Sequence, residues 1–382
     1  MVRNNRKEKA MKKNYVFIYA YIAGNLGDDL MVRCLCERYP ETNFVLCADG
    51  KYKGGFCDIK NLTFYEQEGE RARRWNQFWK KVKGTEDGFR KMLIKMSKAV
   101  VHIGGSVFVQ HFDDYSALFQ ADLQLRRLSR RMYVVGANFG PYTDENYYKQ
   151  YHELLSCYDG AVFRDRYSKK LFEDLENVAY APDVVFNYHL SFDKSNDRKK
   201  QVLISVISME GRNNKFAISD YAQDYYTFIE NLSRAYIYKG YEVAYISFCQ
   251  MQQDEEAIKK IRARLAENEK KHTKVYCYRG DNLKECMEAF EESEIVVGTR
   301  FHSIIIGELK EKKMIPIIYD QKTRHVLEDQ GYTEYVLLDQ LKTVDVEQIM
   351  KNAKAISKEL KEKLVKDAKL QFVYLDNLLK NK

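Results

Sequence analysis

Short apolar runs rich in Val, Ile and Phe alternate with helical patterns along almost the whole chain. Examples are Tyr15 to Tyr21, Ala99 to Ile103, Val202 to Val206 and Ile295 to Val297. Strands that are apolar throughout and that alternate with helices are typical of parallel sheets covered on both faces. A length of 382 residues allows two such units, each with its own core. We therefore predict an α/β protein with two Rossmann-like domains whose parallel sheets face a cleft.

The polar stretch between Asp183 and Lys200 is where we place the boundary between the two domains. It is rich in Ser, Asp, Asn and Lys, and the strand-like run Val202 to Val206 follows it. Polar clusters between periodic segments are typical of loops and linkers. We predict an N-terminal domain over residues 1–190 and a C-terminal domain over residues 191–382, which ends in charged helices.

Composition and charge exclude several classes of protein. Lys and Arg number 63 against 55 Asp and Glu, a net charge of +8. This balance suits anionic substrates or an anionic membrane surface, and no motif for reading bases is present, so we expect no nucleic-acid partner. The eight cysteines show no zinc-ligand spacing, and scattered thiols are typical of a reducing compartment. We expect a cytoplasmic protein without a metal site.

The apolar residues near the start of the chain superficially resemble a signal peptide. Lysines precede the run Tyr15 to Ala23, but the run is aromatic and β-branched and continues directly into Gly24. This pattern favours the first strand of a sheet, and no other apolar run is long enough to span a bilayer. We therefore expect a soluble protein.

Arg300 and His302 follow the apolar run Ile295 to Val297 and precede the helical pattern Ser303 to Leu309. They are therefore predicted at the carboxyl end of a parallel strand, where ligands bind in open α/β sheets and helix amides point outward. An arginine fork suits a carboxylate or phosphate, and a histidine titrates near neutral pH. Taken alone, an R-x-H motif is more often a surface arginine beside a histidine that caps a helix.

Two glycine-containing loops also follow predicted strands. One is Gly24-Asn25-Leu26-Gly27-Asp28-Asp29, and the other is Gly104-Gly105-Ser106. Glycines let a ligand approach the backbone, and a helix N-terminus favours an anion. Neither loop is a G-x-G-x-x-G fingerprint and the Walker pattern is absent, which argues against a dehydrogenase and a P-loop nucleotidase. Alternatively, the two aspartates only cap the first helix.

The segment 71–98 combines basic and aromatic residues on a predicted helical hairpin and contains both tryptophans of the chain, Trp75 and Trp79. Aromatic rings beside lysines suit a membrane interface, where the rings lie at headgroup depth and the cations meet anionic lipids. A solvated helix whose aromatic residues pack on the sheet fits the pattern equally well. Both interpretations stay open at this point.

Six short motifs at predicted strand ends share an order and a placement. They are Gly24-Asn25-Leu26-Gly27-Asp28, Gly104-Gly105-Ser106, Arg164-Asp165-Arg166-Tyr167-Ser168, Pro182-Asp183, Arg300-Phe301-His302 and Tyr319-Asp320-Gln321-Lys322. As a set they resemble the polysaccharide pyruvyl transferase family over most of the chain, to about Gly331. The resemblance implies a GT-B-like fold with the active site in the cleft. This chain has two glycines where the family commonly has three, and the hairpin 71–98 matches no family feature.

The resemblance also implies an activity. Members transfer the pyruvyl group of phosphoenolpyruvate to a sugar, and we expect an acceptor in a cell-surface polysaccharide or its lipid-linked precursor, with a pyruvate ketal as product. No cofactor or metal is expected beyond this donor substrate. By resemblance, Arg164, Arg300 and Lys322 bind the donor and His302 is the general acid. Asp28 orients or deprotonates the acceptor. The remaining residues assigned to the substrate site are Gly24, Asn25, Gly27, Gly104, Gly105 and Ser106, whereas His102 and His111 are expected to be structural.

Two other functions remain open. A GT-B glycosyltransferase that uses a nucleotide sugar would share the fold, although the three cations exceed what a diphosphate on helix amides requires. A catalytically inactive relative could instead act at a membrane surface through residues 71–98. For the active enzyme, the same segment predicts a peripheral contact with the inner face of the plasma membrane.

Overall fold

The computed structural model describes residues 14–83, 87–189, 200–210, 216 and 218–380. The predicted boundary at residues 190 and 191 lies outside the described residues, so the division into 1–190 and 191–382 stays a prediction. Two separate parallel sheets are nevertheless present, one on each side of this boundary in sequence.

The first sheet has seven parallel strands. They are β1 (Val16–Tyr19), β2 (Phe44–Ala48), β3 (Leu62–Glu66), β4 (Ala99–Ile103), β5 (Met132–Ala137), β6 (Gly160–Phe163) and β7 (Val178–Tyr180). Their order is β3-β2-β1-β4-β5-β6-β7, with every neighbouring pair parallel. Every residue of the central strand β4 is buried because helices cover both faces.

The second sheet has six parallel strands. They are β8 (Gln201–Val206), β9 (Glu242–Ser247), β10 (Thr273–Cys277), β11 (Ile295–Gly298), β12 (Lys313–Ile318) and β13 (Val336–Leu337). Their order is β10-β9-β8-β11-β12-β13. Strands β9 and β10 lie on one side of β8, and β11 to β13 lie on the other, so the strand order reverses between β8 and β11. In the first sheet the order reverses between β1 and β4. Such switch points leave a crevice at the carboxyl ends of the strands, where ligands bind in open α/β sheets.

The α-helices connect and cover these strands. Those of the first half are α1 (Leu26–Arg38), α2 (Glu70–Lys83), α3 (Gly88–Met96), α4 (Ser116–Leu128), α5 (Glu145–Ser156) and α6 (Arg166–Leu171). Those that follow are α7 (Ala222–Tyr238), α8 (Asp254–Ala263), α9 (Glu267–Lys270), α10 (Leu283–Glu292), α11 (Phe301–Leu309), α12 (Gln321–Asp329), α13 (Val346–Asn352), α14 (Lys358–Ala368) and α15 (Val373–Leu379). The predicted hairpin in segment 71–98 is confirmed as α2 and α3.

Polar caps fix where several helices begin. The Asn25 side chain accepts a hydrogen bond from the amide of Gly27 and starts α1. The Asp320 side chain accepts one from the amide of Thr323 and starts α12. Such caps satisfy amides that have no partner within the helix. Asp28 and Asp29 therefore lie in the first turn of α1, not at its cap.

One hydrophobic core continues from the first half into the second. It includes Leu30 and Met31 of α1 together with Ile304 and Ile305 of α11. The outer face of each sheet has a separate core. Since the shared core joins the two halves directly behind the cleft, it fixes the loops at the strand ends close to one another.

The C-terminal helices contact the first sheet. Gln371, between α14 and α15, accepts a hydrogen bond from the amide of Gly136 at 2.9 Å, and Asp376 accepts one from the hydroxyl of Tyr39 at 2.7 Å. The C-terminal helices thus pack against the first half of the chain. Within the described residues, no helix is both long enough and apolar enough to cross a membrane.

Candidate active site

A cavity of about 1290 Å³ lies between the carboxyl ends of the two sheets. Both halves of the chain line it, so motifs far apart in sequence meet there. The predicted site residues in its wall are Asn25, Asp28, Gly104, Gly105, Ser106, Arg164, Arg300, His302 and Lys322. Of the other predicted site residues, Gly24 and Gly27 are not part of this wall.

His302 lies in the first turn of α11, immediately after the end of β11, as the sequence predicts. Its imidazole packs against the backbone of Gly27 from the other half, and a Cβ atom at Gly27 would overlap the ring. The Nε2 atom lies 3.7 Å from Oδ2 of Asp183, longer than a hydrogen bond. Among the described residues it has no hydrogen-bond partner. His302 thus lines the cavity, while its Nε2 atom is buried on the side of Asp183.

Asp183 is fully buried beside His302 and Arg164. Its Oδ2 accepts a hydrogen bond from Nη1 of Arg164 at 3.0 Å, and its Oδ1 accepts one from the amide of Val185. Burial alone would raise the pKa of this carboxyl, but the charges of His302 and Arg164 outweigh burial and hold the pKa at about 2. Asp183 is thus ionised at neutral pH and places a negative charge beside the ring of His302. The predicted site residues did not include it, although Pro182-Asp183 follows a strand.

Arg164 follows β6 and is fixed mostly by its own half. Besides Asp183, its Nη2 donates to Oδ1 of Asn138 at 3.0 Å. The guanidinium lies 4.0 Å from the ring centroid of Phe301 and directly against Gly105, where a Cβ atom would overlap it. Nε has no hydrogen-bond partner within the described part of the chain. The arginine places a buried positive charge in the cavity wall.

Arg300 is held within the second half by Asp254. Its Nε donates to Oδ2 of Asp254 at 2.9 Å, Nη2 donates to Oδ1, and Nη1 donates to Oε1 of Gln252 at 2.5 Å. Burial would lower the pKa of Arg300, but the Asp254 carboxylate more than offsets this and raises it. The sequence pattern did not identify Asp254 or Gln252, because an acid at the start of α8 looks like ordinary helix capping.

Lys322 reaches across the cleft from the first turn of α12. Its ammonium donates to the hydroxyl of Ser106 at 2.5 Å and lies 3.2 Å from Oδ2 of Asp320. Burial would raise the pKa of Asp320, but Lys322 and the cap hydrogen bonds with Thr323 lower it. The Lys322 side chain is 19% exposed, against 2% for Arg164 and 7% for Arg300. Of these three predicted cations, Lys322 is thus the most open to a ligand.

Asp28 lies in the first turn of α1 and is partly exposed to the cavity. Burial raises the pKa of its carboxyl, and the charges of His302, Arg164, Lys322 and Arg300 oppose this effect. A raised pKa makes the carboxylate a stronger base and thus a better proton acceptor. The N-termini of α1, α11 and α12 all contribute residues to the wall, and such termini favour anions.

Two further histidines line the cavity. His102 on β4 packs edge-on against Tyr19 at 4.9 Å and Phe108 at 5.8 Å, and burial lowers its pKa to about 4. Burial also lowers the pKa of His111, as does the charge of Lys322. Both shifts favour the neutral imidazole, and the structural role expected for these two histidines stays a prediction. In the described ranges, no group of three or more His, Cys, Asp or Glu side chains is placed to hold a metal ion.

Two solved structures resemble the whole chain in fold. One is a candidate UDP-N-acetylglucosamine 2-epimerase from Listeria monocytogenes, with a TM-score of 0.52, 10% identity and coverage of 97% of this chain and 98% of that one. The other is an Anabaena protein in complex with UDP and glucose, with a TM-score of 0.51, 8% identity and coverage of 96% of each chain. Identities this low show the fold alone, and the predicted GT-B-like arrangement is confirmed.

The sequence itself gives a more specific match. No curated protein is significantly similar in sequence to this chain. The model of one family, however, matches a range that begins at Asn25 and ends at Gln321, and so includes all the strand-end motifs except Lys322 and Gly24. The chain therefore belongs to the polysaccharide pyruvyl transferase family, whose model matches residues 25–321.

Proposed function

We propose that this protein transfers the pyruvyl group of phosphoenolpyruvate to a sugar of a cell-surface polysaccharide or of its lipid-linked precursor, with a pyruvate ketal as product. The observation that carries the proposal is the arrangement of His302 beside three cations in one cavity, in a chain of this family. The proposed reaction takes place in the cytoplasm and needs no metal or cofactor besides the donor.

The charge of the cavity suits the proposed donor. Phosphoenolpyruvate has a carboxylate and a phosphate close together, and several cations are needed to bind both. Lys322 is open enough to contact the donor directly, and the start of α11 offers backbone amides to an anion. Arg164 and Arg300 are held by Asp183 and Asp254, so they supply fixed positive charge and their remaining N–H groups.

His302 is the proposed general acid. Transfer begins when the imidazolium gives its proton to C3 of the donor, which becomes a methyl group and leaves cationic character at C2. The ionised Asp183 lies 3.7 Å from Nε2 and places a negative charge beside the ring. The packing of the ring against Gly27 fixes its orientation, as efficient proton transfer requires.

The acceptor completes the reaction by one addition and one substitution at C2. One sugar hydroxyl forms a C–O bond with C2 and loses its proton to Asp28. The bond between C2 and the phosphate oxygen then breaks, and inorganic phosphate leaves. A second hydroxyl closes the ketal and releases its proton. One of the two released protons replaces the proton that His302 gave to C3, and the other leaves with phosphate.

The test uses the purified full-length protein with phosphoenolpyruvate and a panel of acceptor glycans. We expect release of phosphate that depends on the acceptor, together with a glycan product that contains one pyruvyl ketal by mass. Thermal stabilisation by phosphoenolpyruvate and by a panel of nucleotides separates the alternatives. Stabilisation by nucleotide sugars alone would favour a glycosyltransferase. Donor binding without turnover on any acceptor would favour an inactive relative.

A further inference from the structure

The hairpin formed by α2 and α3 concentrates the positive charge of the chain. Residues 71–98 contain ten Lys and Arg against two Asp and Glu, a net charge of +8, which equals the net charge of the whole protein. The remaining residues therefore sum to zero. The one acid in α2, Glu70, is paired with Arg74 at 2.5 Å. Two short helices can pack against each other without such an excess of positive charge, so their packing does not explain it.

An apolar stripe lies on the same helix. Trp75, Phe78 and Val82 are three or four residues apart, so they share one face of α2, and they are 40%, 56% and 57% exposed. The rings of Trp75 and Phe78 contact each other edge-on, with centroids 6.3 Å apart. Arg74 lies four residues before Phe78, and Lys81 lies three residues after it. Both are exposed, so positive charges border the apolar stripe.

The stripe is not the face that holds the hairpin together. The indole of Trp79 packs against Gly88 of α3, where a Cβ atom would overlap it. The side chain of Asn76 accepts a hydrogen bond from the amide of Phe89 at 2.9 Å. These contacts fix α2 on α3 through the other side of α2. Folding of the hairpin therefore does not explain why Trp75, Phe78 and Val82 are apolar.

The hairpin adjoins the cleft. Arg90 of α3 lines the cavity, as does Leu118 of α4, which is 47% exposed. Protein–protein interface cores are depleted in Lys, whereas large apolar side chains bordered by Lys and Arg are typical of segments that lie at the headgroup level of anionic bilayers. Charge complementarity therefore favours lipid over a protein partner.

We propose that the α2–α3 hairpin docks this protein on an anionic lipid surface, with Trp75, Phe78 and Val82 at headgroup depth and the surrounding cations against lipid phosphates. The docking itself does not require the enzymatic activity. If the proposed function holds, docking places the cavity next to acceptor glycans carried on lipid and raises their local concentration.

The experiment measures sedimentation of the full-length protein with vesicles of phosphatidylcholine alone and of phosphatidylcholine mixed with phosphatidylglycerol. We expect binding to the mixed vesicles at low salt. Binding should weaken steeply as salt approaches roughly 1 M, where the screening length falls to about 3 Å. One variant combines Arg73→Gln, Lys81→Gln and Lys95→Gln. It should bind on the order of 100-fold more weakly, since each cation near the surface contributes about fivefold.

A second variant combines Trp75→Ser, Phe78→Ser and Val82→Ser, and we expect it to lose roughly tenfold or more in vesicle affinity because less apolar area is buried. The matched control changes an exposed aromatic and an exposed cation elsewhere, Tyr238→Ser with Lys363→Gln, and should bind like the wild type. All the changed side chains are exposed, so the thermal unfolding midpoints should stay close to that of the wild type.

Three results would overturn the docking proposal. The wild-type protein could ignore the mixed vesicles at low salt, or both variants could bind as tightly as the wild type. The protein could also be a dimer that the stripe variant converts to a monomer, which would assign the stripe to a second copy of the chain. Phosphate release with a soluble acceptor separates this proposal from the enzymatic one. Vesicle binding without phosphate release would support the docking proposal and contradict the enzymatic one. Phosphate release without vesicle binding would support the enzymatic proposal and contradict docking.

Discussion

Two kinds of contact hold the charged residues of the cavity. Arg164 and Arg300 are each bound by a buried aspartate of their own half, Asp183 and Asp254, and the side chains of both pairs are at most 7% exposed. His302 and Lys322 instead contact the opposite half. The His302 ring packs on Gly27, and the Lys322 ammonium bonds to Ser106.

The two kinds of contact therefore have different roles. The arginine pairs stabilise the folded site, and the contacts of His302 and Lys322 lie where a substrate would bind. The salt bridge of each arginine is formed within one half, although the guanidinium of Arg164 also contacts Phe301 of the second half. The contacts made by His302 and Lys322 exist only where the two halves meet, which is where a substrate would bind. We therefore expect changes at the arginine pairs to reduce stability strongly, and changes at His302 and Lys322 to act on catalysis and binding.

The largest effect is expected for His302→Ala. Loss of a general acid typically costs roughly 10²–10⁴-fold in rate, while phosphoenolpyruvate binding should stay within a few fold because the cations carry it. Steady-state phosphate release and donor titration measure the two quantities. The exposed His272→Ala is the matched control and should behave like the wild type. Near-normal turnover of a folded His302→Ala protein would remove this residue from the mechanism.

Asp254→Asn tests the contacts within the second half. The substitution leaves the buried Arg300 without its counter-charge, and breaking a buried pair in this way typically costs about 3–5 kcal/mol of stability. Denaturant unfolding measures the change in the free energy of unfolding. The exposed Glu267→Gln, which breaks a surface pair with Lys270, should leave that free energy unchanged. If both substitutions had the same small effect, the distinction between the two kinds of contact would fail.

Arg300→Lys sharpens the same distinction. A lysine keeps the positive charge, so we expect a smaller loss of stability than for Asp254→Asn. An ammonium cannot reproduce the planar contacts with both Asp254 and Gln252, so its position in the wall should change and KM for phosphoenolpyruvate should rise. A lysine variant with the wild-type KM would show that charge alone matters at this position.

The smallest effect on stability is expected for Lys322→Gln. Its ion pair with Asp320 is partly exposed, and such pairs contribute about 0–1 kcal/mol. We expect KM for phosphoenolpyruvate to rise while the free energy of unfolding changes little. Lys361→Gln, which removes a partly exposed pair with Glu311, is the control for the stability measurement. A large loss of stability with an unchanged KM would place Lys322 among the structural residues.

The sequence predicted the elements that carry the site, because buried parallel strands are apolar at every position and end at glycines or charged residues. The strand before Arg300 and the helix after it illustrate this. The edge strand β3 was not predicted, since its residues are half-buried or exposed and form no apolar run. In α2, periodicity predicted the helix but not that Trp79 would be packed and Trp75 exposed, because that depends on Gly88.

The partners of the charged residues could not be predicted. Arg300 and Asp254 are 46 residues apart in sequence, and Lys322 and Ser106 are 216 apart. Nothing local in a sequence indicates which acid meets which cation at such distances. Asp183 was visible as part of a strand-end motif, but its role beside both Arg164 and His302 follows only from the meeting of the two halves.

Transfer carried out in D₂O with phosphoenolpyruvate and a competent acceptor tests directly whether C3 of the donor is protonated. Proton donation to C3 predicts that the ketal methyl group of the glycan product contains one solvent deuterium, as measured by mass spectrometry and NMR. The His302→Ala protein should give little of this product. A glycan product without a pyruvyl group would rule out the proposed transfer, and a pyruvyl product whose C3 has taken no hydrogen from solvent would rule out proton donation to C3.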